Sequence, residues 1–490
     1  MLEDVHKNGR ISRAEYAAQT PGLRVDLVNA QFDLQSSDFS VVILVAGDDR
    51  LGVNELVRLI NEWMDTRYLE TLIFPAPTAE ELERPRAWRY WRLLPPRGRI
   101  AVYTGAWGQN AVSERVRGLI SRETFERRLE FIRHFEQTLA ADGTLLLKFW
   151  LHLPREQLKR RMVKAALDQS SSWQLEEADW QGYEYYDESL PYIEQLLRET
   201  STEACRWRVL PGHNRRHRDL HFAATLLDEL TGRLEGRYQP ITVEPPADIE
   251  IGDALATADL RSKLAKKTYR RALKEQQARL AKLTRLARRV GRSSVIVFEG
   301  WDAAGKGGTI RRMTNAMSVR DYRVAPVGVP TEEELARHYL WRFWRRLPRA
   351  GKMLIFDRSW YGRVLVERVE GYASVDEWSR AYGEINAFEA EMAERGIVLC
   401  KFWLHIDRSE QLERFRAREK TAYKKYKITD EDYRNREQWD DYVDAVNEMV
   451  ARTSTDEAPW TLVPANSKRY ARVEVLKTVC DALEQAIGVD

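Results

Sequence analysis

Two tandem α/β/α domains, each a parallel sheet between layers of helix, are what this sequence predicts, and three observations predict them. Short apolar runs alternate with longer charged segments of helical spacing, the pattern of strands buried on both faces. One set of motifs recurs far along the chain in a single register. A glycine-rich loop joins an apolar run to a helix-like segment. With 490 residues, 43% hydrophobic and 31% charged, the chain is long enough for two such domains.

The repeat sets the organisation. Lys148-Phe149-Trp150-Leu151-His152 returns as Lys401-Phe402-Trp403-Leu404-His405, and 401 less 148 is a shift of 253. The same shift carries Trp88-Arg89-Tyr90-Trp91-Arg92 onto Trp341-Arg342-Phe343-Trp344-Arg345, Trp107 onto Trp360, Trp207 onto Trp460 and Pro211 onto Pro464. So long a period means two complete domains and not a solenoid of small repeats. We place them at 1–245 and 246–490, with the boundary in the proline-rich stretch around Pro240, Pro245 and Pro246. The second domain opens with a basic segment, roughly 261–292, whose Leu273, Leu280, Leu283 and Leu286 predict an amphipathic helix packed on the sheet. Strands are then expected at Val295–Phe298, Val324–Val327, Met353–Phe356, Ile397–Leu404 and Thr461–Val463.

The loop Gly300-Trp301-Asp302-Ala303-Ala304-Gly305-Lys306-Gly307-Gly308-Thr309 follows the first of these strands. Glycines at a helix N-terminus turn backbone N–H groups toward one point, the helix dipole favours an anion there, and Lys306 adds a full charge. Gly307 stands where such loops usually carry a hydroxyl ligand for Mg²⁺, which makes Asp302 the candidate substitute. The strand at Met353–Phe356 ends in Asp357 and Arg358, and a carboxylate at that place in phosphate-loop enzymes holds Mg²⁺. The first copy has Val53 for Lys306, Thr104 for Asp357, Gly105 for Arg358 and Asn110 for Arg363, so it is expected to be non-catalytic.

Arg414, Arg416, Arg418, Lys420, Lys424, Lys425 and Lys427 form a basic cluster, starting on a helix that Asp407 and Glu410 can cap. Most shifted positions are neutral, which favours a basic helical lid over a polyanion rather than a solvated face. Trp341–Trp344 and Trp360-Tyr361 are expected to pack between helix and sheet rather than stack on a base, since Trp88, Trp91 and Trp107 recur in the copy without the chemistry, and His405, which matches His152, is expected to be structural too. Cys205, Cys400 and Cys480 lack metal or disulfide spacing and suit a reducing cytoplasm. The N-terminal residues have no signal-peptide core, and no apolar run reaches the ~20 residues of a membrane span. A net charge of only +3 says nothing about partners by itself.

Taken together, the loop, the strand end Phe356-Asp357-Arg358-Ser359-Trp360-Tyr361-Gly362-Arg363, Val366-Glu367-Arg368-Val369, the basic lid, Trp439-Asp440-Asp441-Tyr442 and Ala458-Pro459-Trp460-Thr461 resemble the polyphosphate kinase 2 family. The resemblance covers about 250–490 and, in degenerate form, about 10–215. Two fused copies with only the second intact resemble its polyphosphate:AMP phosphotransferase branch. This implies P-loop-kinase-like domains, Mg²⁺ as cofactor, polyphosphate as donor and AMP as acceptor, without nucleic-acid or membrane partners and with self-association. It also implies that Asp302 and Asp357 hold Mg²⁺, that Lys306 contacts the transferring phosphate, and that Arg358, Arg414 and Arg418 stabilise its charge. Phosphate contacts are further expected from Gly300, Ala303, Ala304, Gly305, Gly307, Gly308, Arg363, Lys424, Lys425 and Lys427. Gly362 for a frequent Asn, and Tyr426 for a frequent Trp, leave the acceptor less determined than the reaction. The alternatives are a polyphosphate-dependent diphosphate kinase, an ATP-dependent nucleotide kinase and a non-enzymatic scaffold.

Overall fold

The computed structural model describes residues 2, 10–170, 172–238, 241, 243, 246–421 and 430–488. The first copy contributes β1 (Val41–Gly47), β2 (Leu69–Ile73), β3 (Ile100–Thr104), β4 (Leu145–His152) and β5 (Trp207–Pro211). The second contributes β6 (Ser294–Gly300), β7 (Tyr322–Pro326), β8 (Met353–Asp357), β9 (Val398–His405) and β10 (Trp460–Pro464). The sheet orders are β2-β3-β1-β4-β5 and β10-β9-β6-β8-β7, the same order in each copy, and every pairing is parallel. All five strands foreseen for the second copy are present, each near its expected bounds.

The continuous apolar runs have a direct cause in this topology. β1 and β6 lie at the centres of their sheets, with helices joining successive parallel strands, so side chains on both faces are covered. Val295, Ile296, Val297 and Phe298 are all fully buried. β8 and β9 flank β6 on opposite sides, which makes the carboxyl end of β6 a switch point where the crossovers diverge. The glycine loop emerges there.

Two compact units result, one of Met1–Ala76, Leu94–Thr242 and Ala336–His338, the other of Pro77–Leu93, Val243–Leu335 and Tyr339–Asp490. The second unit thus includes a short segment from the first copy, whose Glu83 bonds Arg349 and whose Trp91 stacks on Trp344 with ring centroids 5.7 Å apart. Within the first unit, Arg337 donates to the Leu94 carbonyl. The basic segment is a helix, Lys266–Val290, ended by Gly291 in the left-handed conformation. Its main neighbour is the helix Lys468–Ile487 rather than the sheet, a correction of the expected packing. Leu280 and Leu283 are buried there, and Arg279 reaches Glu484 and Asp481.

Trp341, Trp344 and Trp360 are buried, as a structural role requires. So are the three cysteines, all free thiols. No helix among the described residues is long and apolar enough to cross a membrane.

Candidate active site

Gly300 closes β6 at φ 138°, and a Cβ there would lie 2.5 Å from the Leu404 carbonyl oxygen, so only glycine lets the loop leave the strand so close to β9. Gly305, at φ 119°, is the N-cap of the helix Lys306–Thr314. Its first turn has unpaired N–H groups and the positive end of the helix dipole, a ready anion site. Among the described residues only Ala303 and Arg358 hold positive φ without being glycine, at 63° and 64°, and both are in this site. Such residues cost on the order of 1–3 kcal/mol and persist where the surroundings enforce them.

Arg358 illustrates the point. Its counterpart Gly105 has φ 62°, so the same backbone turn exists in the first copy without strain. The second copy keeps the turn with an arginine on it, and that guanidinium bonds Asp302 at 3.1 Å. Asn435 donates to the other Asp302 oxygen at 3.0 Å. Burial would raise the Asp302 carboxyl, but the charges of Lys306 and Arg358 and the Asn435 bond outweigh it and hold it below the usual range. Burial lowers Lys306, against which Asp302 acts. The Lys306 ammonium donates to the Gly300 carbonyl at 2.5 Å, with Trp301 O at 3.4 Å. Asp357 ends β8 beside the loop: a Cβ on Gly307 would stand 3.9 Å from its Oδ2.

Of these groups, Gly300, Asp302, Lys306, Arg358 and Asn435 line a cavity of ≈ 70 Å³. Asp302, Lys306 and Arg358 form its charged side, and Leu365, Val366 and Trp403 its apolar side. Trp301 stacks on Trp439 with centroids 3.7 Å apart and donates its indole N–H to His405 Nδ1 at 3.0 Å. Burial lowers His405, so it stays neutral and accepts that bond, the structural part foreseen for it.

The remaining predicted cations meet four different ends. Arg414 lies on the helix Arg408–Glu419, whose N-cap Asp407 accepts from Glu410 N–H. Its guanidinium donates to the carbonyls of Ala303, Ala304, Ala465 and Asn466 and to Glu410. Arg414 therefore clamps the loop from behind instead of facing the cavity, because its donors are engaged. Arg418 is half-buried and has no carboxylate partner among the described residues; it and Arg472 help to lower Lys468 to about 8, after burial and Arg414. Arg363 is held by Glu367 and Glu377. Lys424, Lys425 and Lys427 lie outside the described residues.

Sequence reasoning missed Glu299, Ser359, Gln411 and Asn435. Ser359 donates to the buried Glu299 at 2.8 Å, and Gln411 donates to the Asp302 carbonyl at 3.3 Å. The signal was available, since the shifted positions are Ala46, Ala106, Leu158 and Gly182. The comparison also needs correcting in one respect: Asp302 and Arg414 do have charged counterparts, Asp49 and Arg161.

Comparison with known proteins agrees with this geometry. The family described as Polyphosphate kinase 2 (PPK2) matches residues 10–237 and again 263–488. A polyphosphate:AMP phosphotransferase of Pseudomonas aeruginosa is 47% identical, with 100% of both chains covered. Another protein of that name, from Pseudomonas syringae pv. tomato, is 43% identical over 100% of this chain and 99% of its own. The crystal structure of a putative polyphosphate kinase 2 from P. aeruginosa superposes with a TM-score of 0.90 at 46% identity, covering 100% of each chain. With one match on each copy, the chain belongs to the polyphosphate kinase 2 family.

Proposed function

We propose that this protein is a polyphosphate:AMP phosphotransferase, moving the terminal phosphoryl group of inorganic polyphosphate to AMP and releasing ADP. The observation that carries the reading is the convergence of Asp302, Lys306 and Arg358 on one cavity, beside Asp357, in the copy whose counterpart lacks all but the aspartate at Asp49. Full-length relatives of that name support it.

An AMP phosphate is already mostly dianionic at pH 7, its second pKa being about 6, so the nucleophile needs no strong base. The site must instead align two polyanions and offset their charge. The N-terminal turn of Lys306–Thr314 receives the donor phosphates. Lys306 has two carbonyls for company and a third N–H for a phosphoryl oxygen. Arg358, fixed by its turn and by Asp302, supplies a second positive charge at the cavity. Arg414 holds the loop's carbonyls away, so that its N–H groups point inward.

Asp302 and Asp357 are hard oxygen donors next to the phosphate loop, and Mg²⁺ is commonly held by one or two carboxylates together with substrate phosphates. The residues fit that ion. When bound, it would neutralise phosphate charge as the transfer proceeds. Three buried free thiols suit a reducing compartment, and we assign the enzyme to the cytoplasm on that ground.

The test is incubation with AMP and Mg²⁺ and either polyphosphate or ATP as donor. ADP formed from polyphosphate is the expected result. ADP formed from ATP alone would make the protein an ordinary nucleotide kinase, and ATP formed from ADP without any use of AMP would make it a diphosphate kinase.

A further inference from the structure

Behind the site, each copy contains the same buried polar network. In the first, Lys148 donates to Glu136 at 2.6 Å and to the Thr200 carbonyl at 2.7 Å, Trp107 donates to Glu136 at 2.9 Å, and Trp207 donates to the Thr200 hydroxyl at 2.8 Å. In the second, Lys401 donates to Glu389 at 2.7 Å and to the Thr453 carbonyl at 2.6 Å, Trp360 donates to Glu389 at 3.0 Å, and Trp460 donates to the Thr453 hydroxyl at 2.9 Å. A network kept in a copy without the chemistry belongs to the fold.

One group breaks the equivalence. The fully buried Tyr361 donates its phenol to Glu389 at 2.6 Å and accepts from Lys401 at 2.9 Å, and its ring packs edge-on against Trp460 at 4.6 Å. Its counterpart is Gly108, where a Cβ would stand 3.1 Å from the Leu196 side chain, so a leucine fills the space of the phenol. The backbone differs at the same place. In the first copy Trp107–Val116 is an unbroken α-helix. In the second, Trp360–Val364 is a 3₁₀ turn, Leu365 leaves the helical region at φ −113°, ψ −101°, and a new helix starts at Val366. Gly362, Leu365 and Val366, just past the phenol, form a wall of the cavity.

We infer that Tyr361 is a positioning residue for the phosphoryl transfer: its phenol, gripped between Glu389 and Lys401, ties the turn 360–366 to the buried network and so sets the cavity wall and, through the chain, Arg358. Burial and the adjacent Glu389 charge keep the phenol protonated, so it remains a donor at any working pH. The kinetic part of this inference rests on the proposed activity; the conformational part does not.

The experiment is Tyr361→Phe in the full chain, with Trp107→Phe, which removes one donor to Glu136, as a control cut in the first copy's network. Hydrogen exchange of the ligand-free protein should rise locally at 360–369 in Tyr361→Phe, with the exchange of β6 and β9 unchanged. Under polyphosphate and AMP, kcat should fall about 10- to 100-fold, the effect of a misplaced reacting group, while KM for polyphosphate stays within about twofold. Trp107→Phe should leave both readings as in the parent when expressed per folded molecule. Unchanged exchange and kinetics would overturn the inference. So would loosening spread over the whole unit with activity lost only in proportion to unfolding. If the parent makes no ADP but exchange rises locally as stated, the activity is wrong and the tether stands.

Discussion

The two copies share a strand order and a buried Lys-Glu-Trp-Thr network, yet treat the phosphate loop in opposite ways. In the second, charge faces an open cavity. In the first, it is satisfied internally. Glu55, at the position of Gly308, accepts from Arg161 at 2.6 Å and from the fully buried Arg218 at 3.0 Å. Burial would raise the Glu55 carboxyl, but the two arginines outweigh it and lower it. Asp49, the counterpart of Asp302, caps its helix through Gly52 N–H and pairs with Arg161 at 3.0 Å. Val53, in the place of Lys306, is part of an apolar cluster with Val45, Leu56 and Leu151. Glu55 thus gives Arg161 and Arg218 a carboxylate partner inside the fold, where an unpaired buried cation would be costly. The copies share apolar strands and a buried ion pair, and differ at a few charged loop positions.

The largest expected effect comes from erasing that difference in the second copy. Lys306→Ala or Asp302→Asn should lower turnover about 10²- to 10³-fold, the scale of a lost charge-stabilising contact at a transition state, ~3–4 kcal/mol, with the fold kept. Near-parental turnover in a folded variant would remove these residues from the site.

Expression of residues 246–490 alone comes next. That chain lacks Pro77–Leu93, so Arg349 loses Glu83, Leu347 O loses Arg84, and Trp344 loses its stacking partner Trp91. A protein that aggregates or melts well below the parent, with little activity, is expected in thermal scans and ADP assays. Equal heat stability and equal activity would show that the exchanged segment contributes nothing.

Arg358→Gly tests strain against function in one substitution, because it installs the first copy's residue at the same φ. Relief of a left-handed non-glycine residue, ~1–2 kcal/mol, is set against glycine's larger folding entropy, ~0.5–1 kcal/mol, so Tm should hold or rise slightly. Turnover should nonetheless drop about 10²-fold, since the cation is gone. A Tm well below the parent's would contradict the strain argument.

Arg418→Ala should reduce activity on long polyphosphate several-fold and flatten its dependence on salt, since one fewer cation, half-buried and without a carboxylate partner among the described residues, remains to be screened. An unchanged salt profile would return this arginine to a solvated helix face. The smallest kinetic effect is expected in the first copy. Val53→Lys puts a charge into an apolar cluster and should lower Tm, while turnover per folded molecule stays at the parental value. Any gain in turnover would mean that the first copy still has a usable site.

Legibility followed the range of the interactions involved. The helix Lys306–Thr314 and β6 were visible because the loop, the strand and the Lys are contiguous in sequence. Asn435 is marked only by the comparison of copies, which sets it against Gly182; its partner is not legible, because the Asp302 oxygen it bonds is 133 residues away and nothing local marks an asparagine in a charged helix as a ligand of a distant carboxylate. Arg414 was visible as a cation but was given the wrong direction. Its retained counterpart Arg161 already hinted at a structural use.

By itself the sequence determined the duplication, the parallel α/β class, the glycine loop and which charged positions differ between the copies. Each of these is written in local periodicity, in glycine spacing, or in one register of 253 that compares the chain with itself. Only the tertiary structure decided that Arg414 grips carbonyls, that Arg358 sits on a left-handed turn, that Glu55 pairs with Arg161 and Arg218 and that Tyr361 is tied to Glu389 and Lys401. The reason is physical. A side chain's partner is chosen by three-dimensional proximity and by the cost of leaving buried charge unpaired, and neither is encoded in any one stretch of residues.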